Sequence, residues 1–261
     1  MDFSALEQFP LRLPHTTITV SELLADFKQA GIDAYVCGGA VRDLVQGRPF
    51  NDVDLTVRLP IAELDQHLQQ RFGAEAICFR NHRFGLLKLG NDTEQALDVT
   101  MFRSASSILP GQALGEVCYA LGDSLLDDAR NRDLSINCLY WQPQAGCVDP
   151  LGHGVDDVRQ RRLNVAADPR KFAVDARISF RLLLFVGRGY QLSEAAHGYL
   201  HDHLARDLAM YDEPGLHGYL PMLLRDSRAA GEALSQLAAS YLPQQAAARL
   251  ARAIADHPGL A

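Results

Sequence analysis

Two aspartates one residue apart, Asp52 and Asp54 in the run NDVDLTV, are the side chains of this sequence best suited to do chemistry. On a strand, side chains at i and i+2 leave the same face, so the two carboxylates converge. Hard oxygen ligands at that spacing suit Mg2+, which keeps several waters and takes one or two protein carboxylates together with substrate phosphates. Asp98, in LDVTMFR, is a candidate to complete or orient such a site. A D-x-D pair alone is a weak signal, since such pairs are common on exposed strands and turns. Gly38-Gly39 strengthens it, because a glycine pair between an apolar run and a helix lets backbone come close to triphosphate oxygens. Arg42, one turn further on, is placed to steady those phosphates, while Asp43 reads as structural. With two metal ions about 3.5 to 4 Å apart, one would activate an attacking hydroxyl and the other would stabilise a leaving pyrophosphate.

The elements that must position these residues follow from periodicity. Residues 19–30 place apolar side chains at helical spacing after a Thr start, and Gly31 is a stop signal. Ala34 to Cys37 is a short apolar strand ending in the glycine pair, and Ala40 to Val45 reads as the helix that follows. Further strands are expected at Val53–Val57, Phe84–Leu89, Ala96–Met101 and Ile136–Trp141. After Pro169 the texture becomes helical, with segments Phe172–Arg188, Ser193–Leu208, Leu216–Arg225, Glu232–Tyr241 and Gln244–His257 and no evident strand. The expectation is therefore an α+β chain. A head of mixed β-sheet flanked by helices spans 1–145, and an all-α neck and small helical body span 146–261.

Composition narrows the class. With 261 residues, 48% of them apolar, the chain can bury a substantial core. A net charge of −7 argues against a protein coated in basic residues, so a polyanion must meet a local positive surface. Residues 159–188 offer one, with eight basic side chains against two acidic ones. The five cysteines are odd in number, scattered and without a CxxC pair, which predicts reduced thiols in a cytoplasmic protein and no structural zinc. The N-terminus has no signal-like pattern, and the run Leu182 to Val186 is far too short to span a bilayer, so no membrane role is expected. His197, His201 and His203 read as exposed helix histidines, Tyr140 and Trp141 as core, and Asp127 and Asp128 as capping or solvent-facing.

The compound pattern GGAVRD, Gly47 and DVD resembles the nucleotidyltransferase head of the class II CCA-adding enzymes and bacterial poly(A) polymerases, in the DNA polymerase beta-like superfamily. LDVTMFR is similar to that family's acidic-V-T-T-x-R strand, NRDLSINCLYW to its RRDFTINAMAY segment, and DPLGHGVDDV to its hinge with His153 inserted. DPRKFAVDARISFRLLLFVGR resembles its E-D-x-x-R helix, so the likeness covers roughly residues 17–190. The resemblance implies a template-independent enzyme that moves NMP from ATP or CTP to an RNA 3' end, that of tRNA, with Asp52 and Asp54 as metal ligands. It further implies that Gly38, Gly39 and Arg42 hold triphosphate, that Arg132 and Asp133 recognise phosphates and ribose, and that Asp175 and Arg181 contact the nucleotide. Asn131 stands where the family has another arginine.

One departure bears on specificity. In the ungapped register, Val174 and Ile178 replace the Glu and Arg of the E-D-x-x-R pattern, and only Asp175 remains to read the base. On a continuous helix Arg177 would lie about 200 degrees around from Asp175, so it is not expected to substitute, whereas Ser179 would share the aspartate's face. Losing a charged donor should lower base discrimination by roughly 1.5 to 3 kcal/mol. That departure, with a helical body shorter than the family's, leaves two alternatives open. The same chemistry could act on a non-tRNA acceptor (another RNA, a protein or a small molecule), or the chain could be a catalytically silent nucleotide-binding module.

Overall fold

The computed structural model describes residues 1–92, 96–212, 214–216 and 235–255. The chain divides into two compact units, Met1–Arg159 with Ala166–Lys171, and Gln160–Val165 with Phe172–Ala261. The first unit thus runs past the expected boundary at 145. The reason is a hairpin of β8 (Tyr140–Gln142) and β9 (Gly146–Val148), which completes the sheet beyond that point.

The first unit is built on a seven-stranded sheet. Its strands are β3 (Ala34–Cys37), β4 (Asp54–Val57), β5 (Ile77–Asn81), β6 (Leu86–Leu89), β7 (Leu97–Met101), β8 and β9. The order is β5-β6-β7-β4-β3-β8-β9, antiparallel except for the parallel pair β4 and β7. A separate two-stranded hairpin, β1 (Pro10–Leu13) with β2 (Thr16–Thr19), precedes it. Helix α1 (Ser4–Glu7) opens the chain.

Helix α2 (Val20–Gln29) starts where the sequence signals it. The Thr19 hydroxyl accepts from the Glu22 N–H at 3.2 Å, and the Glu22 carboxylate accepts from the Thr19 N–H at 2.6 Å, a reciprocal cap. The helix buries Val20, Leu23, Leu24 and Phe27, each worth about 1.5 to 3 kcal/mol on leaving water. Helix α3 (Gly39–Val45) follows β3 directly, and α4 (Ile61–Phe72) lies in the crossover between β4 and β7, burying Leu64 and Leu68. The strand expected at Ile136–Trp141 starts only at Tyr140, because Ser135–Asn137 form a 3-10 turn. Ser135 donates to Asp157 at 2.6 Å and Asn137 to Asp133 at 3.1 Å, side-chain bonds that compete with a ladder. Helix α5 (Leu125–Arg130) leads into this turn, and α6 (Gly154–Gln160) follows the sheet.

In the second unit α8 (Arg177–Gly187) packs on α9 (Glu194–Ala209), which Ser193 caps, and α10 (Gln244–Ala255) follows. The expected helix Phe172–Arg188 is broken. A short turn α7 (Pro169–Phe172) ends before the chain becomes helical again at Arg177. Nor is the unit free of strands, since β10 (Arg162–Leu163) pairs in parallel with β11 (Gln191–Leu192). Gly189, at φ +85°, reverses the chain there, and two-residue strands are too short to leave a periodic signal. Of the segment expected as a helix at Leu216–Arg225 only Leu216 is described, and it is helical; the rest, and the start of Glu232–Tyr241, lie outside the described residues.

Candidate active site

The site forms where β3 ends. Gly38 has φ +75° and ψ −128°, a conformation that L side chains rarely adopt. A Cβ on Gly38 would lie 3.6 Å from Arg132 Nη1 and 3.7 Å from Asp54 Oδ2, and one on Gly39 would lie 3.7 Å from Arg42 Nη2. Two guanidinium groups and a carboxylate thus face a stretch of bare backbone. Asp54 is the first residue of β4 and pairs with Cys37 on one side and Asp98 on the other. Asp52 is exposed and lies just ahead of the strand, with the buried Val53 between the two aspartates. Asp54 is half-buried, so both carboxyl-bearing residues reach the surface while Val53 does not.

Arg132 is a pillar of the interior as well as a wall of the corner. Its Nε donates to Asp128 at 2.9 Å and to the Tyr140 hydroxyl at 3.0 Å, and its Nη2 donates to Cys37 Sγ at 3.1 Å. The guanidinium also sits 5.1 Å over the Tyr140 ring. Burial works against its charge, yet the Asp128 carboxylate beside it raises its pKa well above the ordinary arginine value. Burial alone would raise the Asp128 carboxyl too. Instead Arg132 and Arg103, with hydrogen bonds from Tyr140 and the Arg103 backbone, hold it below the usual carboxylate range. Asp128 is 1% exposed, so the expectation that it caps or faces solvent is corrected; Asp127 is the one that bonds to the capping Ser124. Burial pushes the Cys37 thiol up to about 12, which keeps it neutral as a floor beneath Asp54 and Arg132.

Arg42 is held from two sides. Its Nη1 donates to Asn137 Oδ1 at 2.7 Å and its Nε to Asp43 at 2.9 Å, the latter confirming a structural Asp43. Asp133, expected to accept from a ribose, is 6% exposed, and its Oδ1 accepts from the Leu134 N–H at 2.8 Å and from Asn137 at 3.1 Å. In this structure it orients Asn137, which in turn orients Arg42. Asp98 is paired with Lys88, Nζ to Oδ1 at 2.6 Å.

The two remaining residues expected to contact nucleotide, Asp175 and Arg181, are in the second unit. Asp175 is 3% exposed and precedes α8 instead of lying in it, so the helical-wheel argument against Arg177 fails. Arg177 reaches back with two bonds of 2.7 Å to both Asp175 oxygens, a bidentate pair. Ser179 bonds Asp207 at 2.5 Å, Ile178 is fully buried, and Arg181 is exposed. The basic stretch 159–188 presents less positive surface than its count implies, because Lys171 is buried and bonded to the Asn131 carbonyl and Arg177 is paired. The residues sequence reasoning missed are Lys88, Asp128 and Asn137. Only Asp128, four residues before Arg132, carried a usable signal.

Carboxylate oxygens beside a glycine backbone are of the hard kind a divalent cation such as magnesium takes, and Asp52 and Asp54 are the residues that could hold one here. Among the described residues no three His, Cys, Asp or Glu side chains gather as a metal-holding group. No described helix is long and apolar enough to cross a membrane.

Known proteins resemble this chain in sequence and fold. The CCA-adding enzyme of Geobacillus sp. (strain WCH70) is 26% identical over 227 residues, 77% of this chain and 54% of its own length. That of Streptococcus suis (strain 05ZYH33) is 29% identical over 155 residues, 59% of this chain and 36% of its own. The Bacillus stearothermophilus CCA-adding enzyme in complex with CTP superposes with a TM-score of 0.66 at 26% identity, covering 88% of this chain and 57% of that one. A tRNA nucleotidyltransferase complexed with a primer tRNA and an incoming ATP analog gives 0.61 at 25% identity, covering 82% of this chain and 59% of that one. The chain spans about half the length of the curated relatives it matches. Residues 34–164, from the strand that leads into the glycine corner to the residue after β10, match the model of the poly A polymerase head domain, and the chain belongs to that family.

Proposed function

We propose that the chain is a template-independent nucleotidyltransferase that moves NMP from ATP or CTP to the 3' end of tRNA, in the cytoplasm and with magnesium. The observation that carries this is the corner at Gly38, where the position a Cβ would take lies 3.6 Å from Arg132 Nη1 and 3.7 Å from Asp54 Oδ2. Magnesium, when bound by Asp52 and Asp54, would lower the pKa of the attacking 3'-hydroxyl and stabilise the leaving pyrophosphate. The glycine pair gives the phosphates close approach, and Arg42 and Arg132 offset their charge in a partly buried setting where such contacts are strong. Asn137, held by Asp133, keeps Arg42 aimed, and Asp128 does the same for Arg132. In the second unit, Asp175 with Arg177 and the exposed Arg181 are proposed nucleotide contacts, the first pair offering an acceptor and a donor.

Incubation with labelled ATP or CTP, Mg2+ and tRNA lacking its 3' end tests the reading. Incorporation is expected, and its absence with every NTP and a panel of RNA acceptors, in folded protein, would defeat it. One observation favours a second reading, the same chemistry on another acceptor. Ile178 is fully buried where the family pattern has a base-reading arginine, so base selection here rests on a different pair of groups. Mass spectrometry of candidate acceptors after exposure to each NTP separates the two.

A further inference from the structure

Lys88 belongs to no motif, yet the sheet register places it in the row of the site. It is opposite Asp98, Asp98 is opposite Asp54, and Asp54 is opposite Cys37, so these side chains leave the same face at one level. Adjacent strands lie about 4.8 Å apart, close enough for Asp98 to compete as a third ligand for an ion at Asp54. Its Oδ1 is instead held by Lys88 Nζ at 2.6 Å, with the two side chains only 26% and 32% exposed.

We propose that Lys88 is a positioning residue of the metal centre, pairing with Asp98 so that the ion is held by Asp52 and Asp54 with triphosphate oxygens and not by a cage of three carboxylates. This rests on the nucleotidyltransferase reading and deepens it. A centre of two carboxylates binds a free divalent ion weakly and gains its remaining ligands when the nucleotide arrives, so the lysine couples ion retention to substrate. A neutral residue at 88 releases Asp98, adding a negative charge and a ligand to the empty centre.

The test is Mn2+ binding without nucleotide, followed by the paramagnetic resonance of the free ion, with folding checked by circular dichroism. Lys88→Met is expected to bind Mn2+ about tenfold more tightly than the wild type, a difference that Coulomb attraction at this range can supply. Asp98→Asn should bind Mn2+ more weakly than the wild type, because it leaves the Lys88 ammonium uncompensated beside the centre, and the double variant, which lacks both charges, should return to within about twofold of the wild type. Lys88→Gln, which keeps the stem and a neutral donor, serves if the methionine variant does not fold. Unchanged or weaker binding in the Lys88 variants overturns the inference, as does a gain that survives Asp98→Asn. Failure of NMP transfer by the wild type, with this pattern of Mn2+ binding intact, would count against the proposed activity alone.

Discussion

Replacing Gly38 by alanine separates two roles of one residue. Its φ of +75° and ψ of −128° lie where a side chain is strained, at about 1 to 3 kcal/mol for a sparsely populated backbone region. The new methyl would not collide, since its nearest neighbours are 3.6 and 3.7 Å away, so stability should fall by the backbone strain alone. For a chain of this size that is a Tm lowered by roughly 2 to 4 °C per kcal/mol. The methyl would, however, stand between Arg132, Asp54 and any phosphate, displacing the charge they are set to meet. Nucleotide affinity measured by calorimetry with ATP and Mg2+ should weaken at least about tenfold, equivalent to about 1.4 kcal/mol. Gly31 is the control, because at φ +74° with nothing within 4 Å of its Cβ position it shares the positive φ and has no part in the site. Gly31→Ala should lose stability and keep nucleotide binding. Unaltered ATP affinity in folded Gly38→Ala, or an equal loss in both variants, would refute the cradle.

Asp54→Asn should abolish NMP transfer while the far-ultraviolet spectrum stays native; transfer above a trace would remove Asp54 from the metal centre. Asp128→Asn should cost about 3 kcal/mol in urea unfolding at neutral pH, because it leaves the Arg132 charge buried without its partner. The Asp128 carboxyl is held below its unfolded value, so its contribution is complete above about pH 4 and is lost as pH falls through the folded value. The difference between wild type and Asp128→Asn should therefore shrink in acid, and a constant difference from pH 7 down to about pH 2 would contradict the assignment. Arg177→Met should destabilise by about 3 kcal/mol through the buried Asp175, a loss read by thermal melting, with Arg177→Lys intermediate because one ammonium cannot reproduce two parallel bonds.

The corner itself was legible in the sequence, because its parts are local: an apolar run, two glycines, a helix start and a D-x-D spacing each follow from short-range rules. What supports the corner was not. Asn137 and Asp128 act through partners brought in by the fold, and a buried aspartate between two arginines looks, in sequence, like any other member of an acidic pair. Lys88 reads as an ordinary polar position on an alternating strand until register sets it against Asp98. The break before Arg177 was hidden for a different reason. Its flanks, Arg170 to Phe172 and Arg177 onward, both have good helical composition, so a single long helix was the natural inference, and the bond that the Arg177 N–H donates to the Asp175 carboxylate marks the new start.

Two of the contacts that shape the corner, Arg42 to Asn137 and Arg132 to Cys37, each join residues 95 positions apart. A chain emerging from the ribosome exposes the glycines and the paired aspartates long before the segment that braces them has been made. Such non-local closures come late and slow folding, since the loop between them must be ordered before the contact rewards it. An incomplete head would therefore carry the acidic residues without the arginine wall, and nucleotide capture should appear only once synthesis has passed the turn at Asn137.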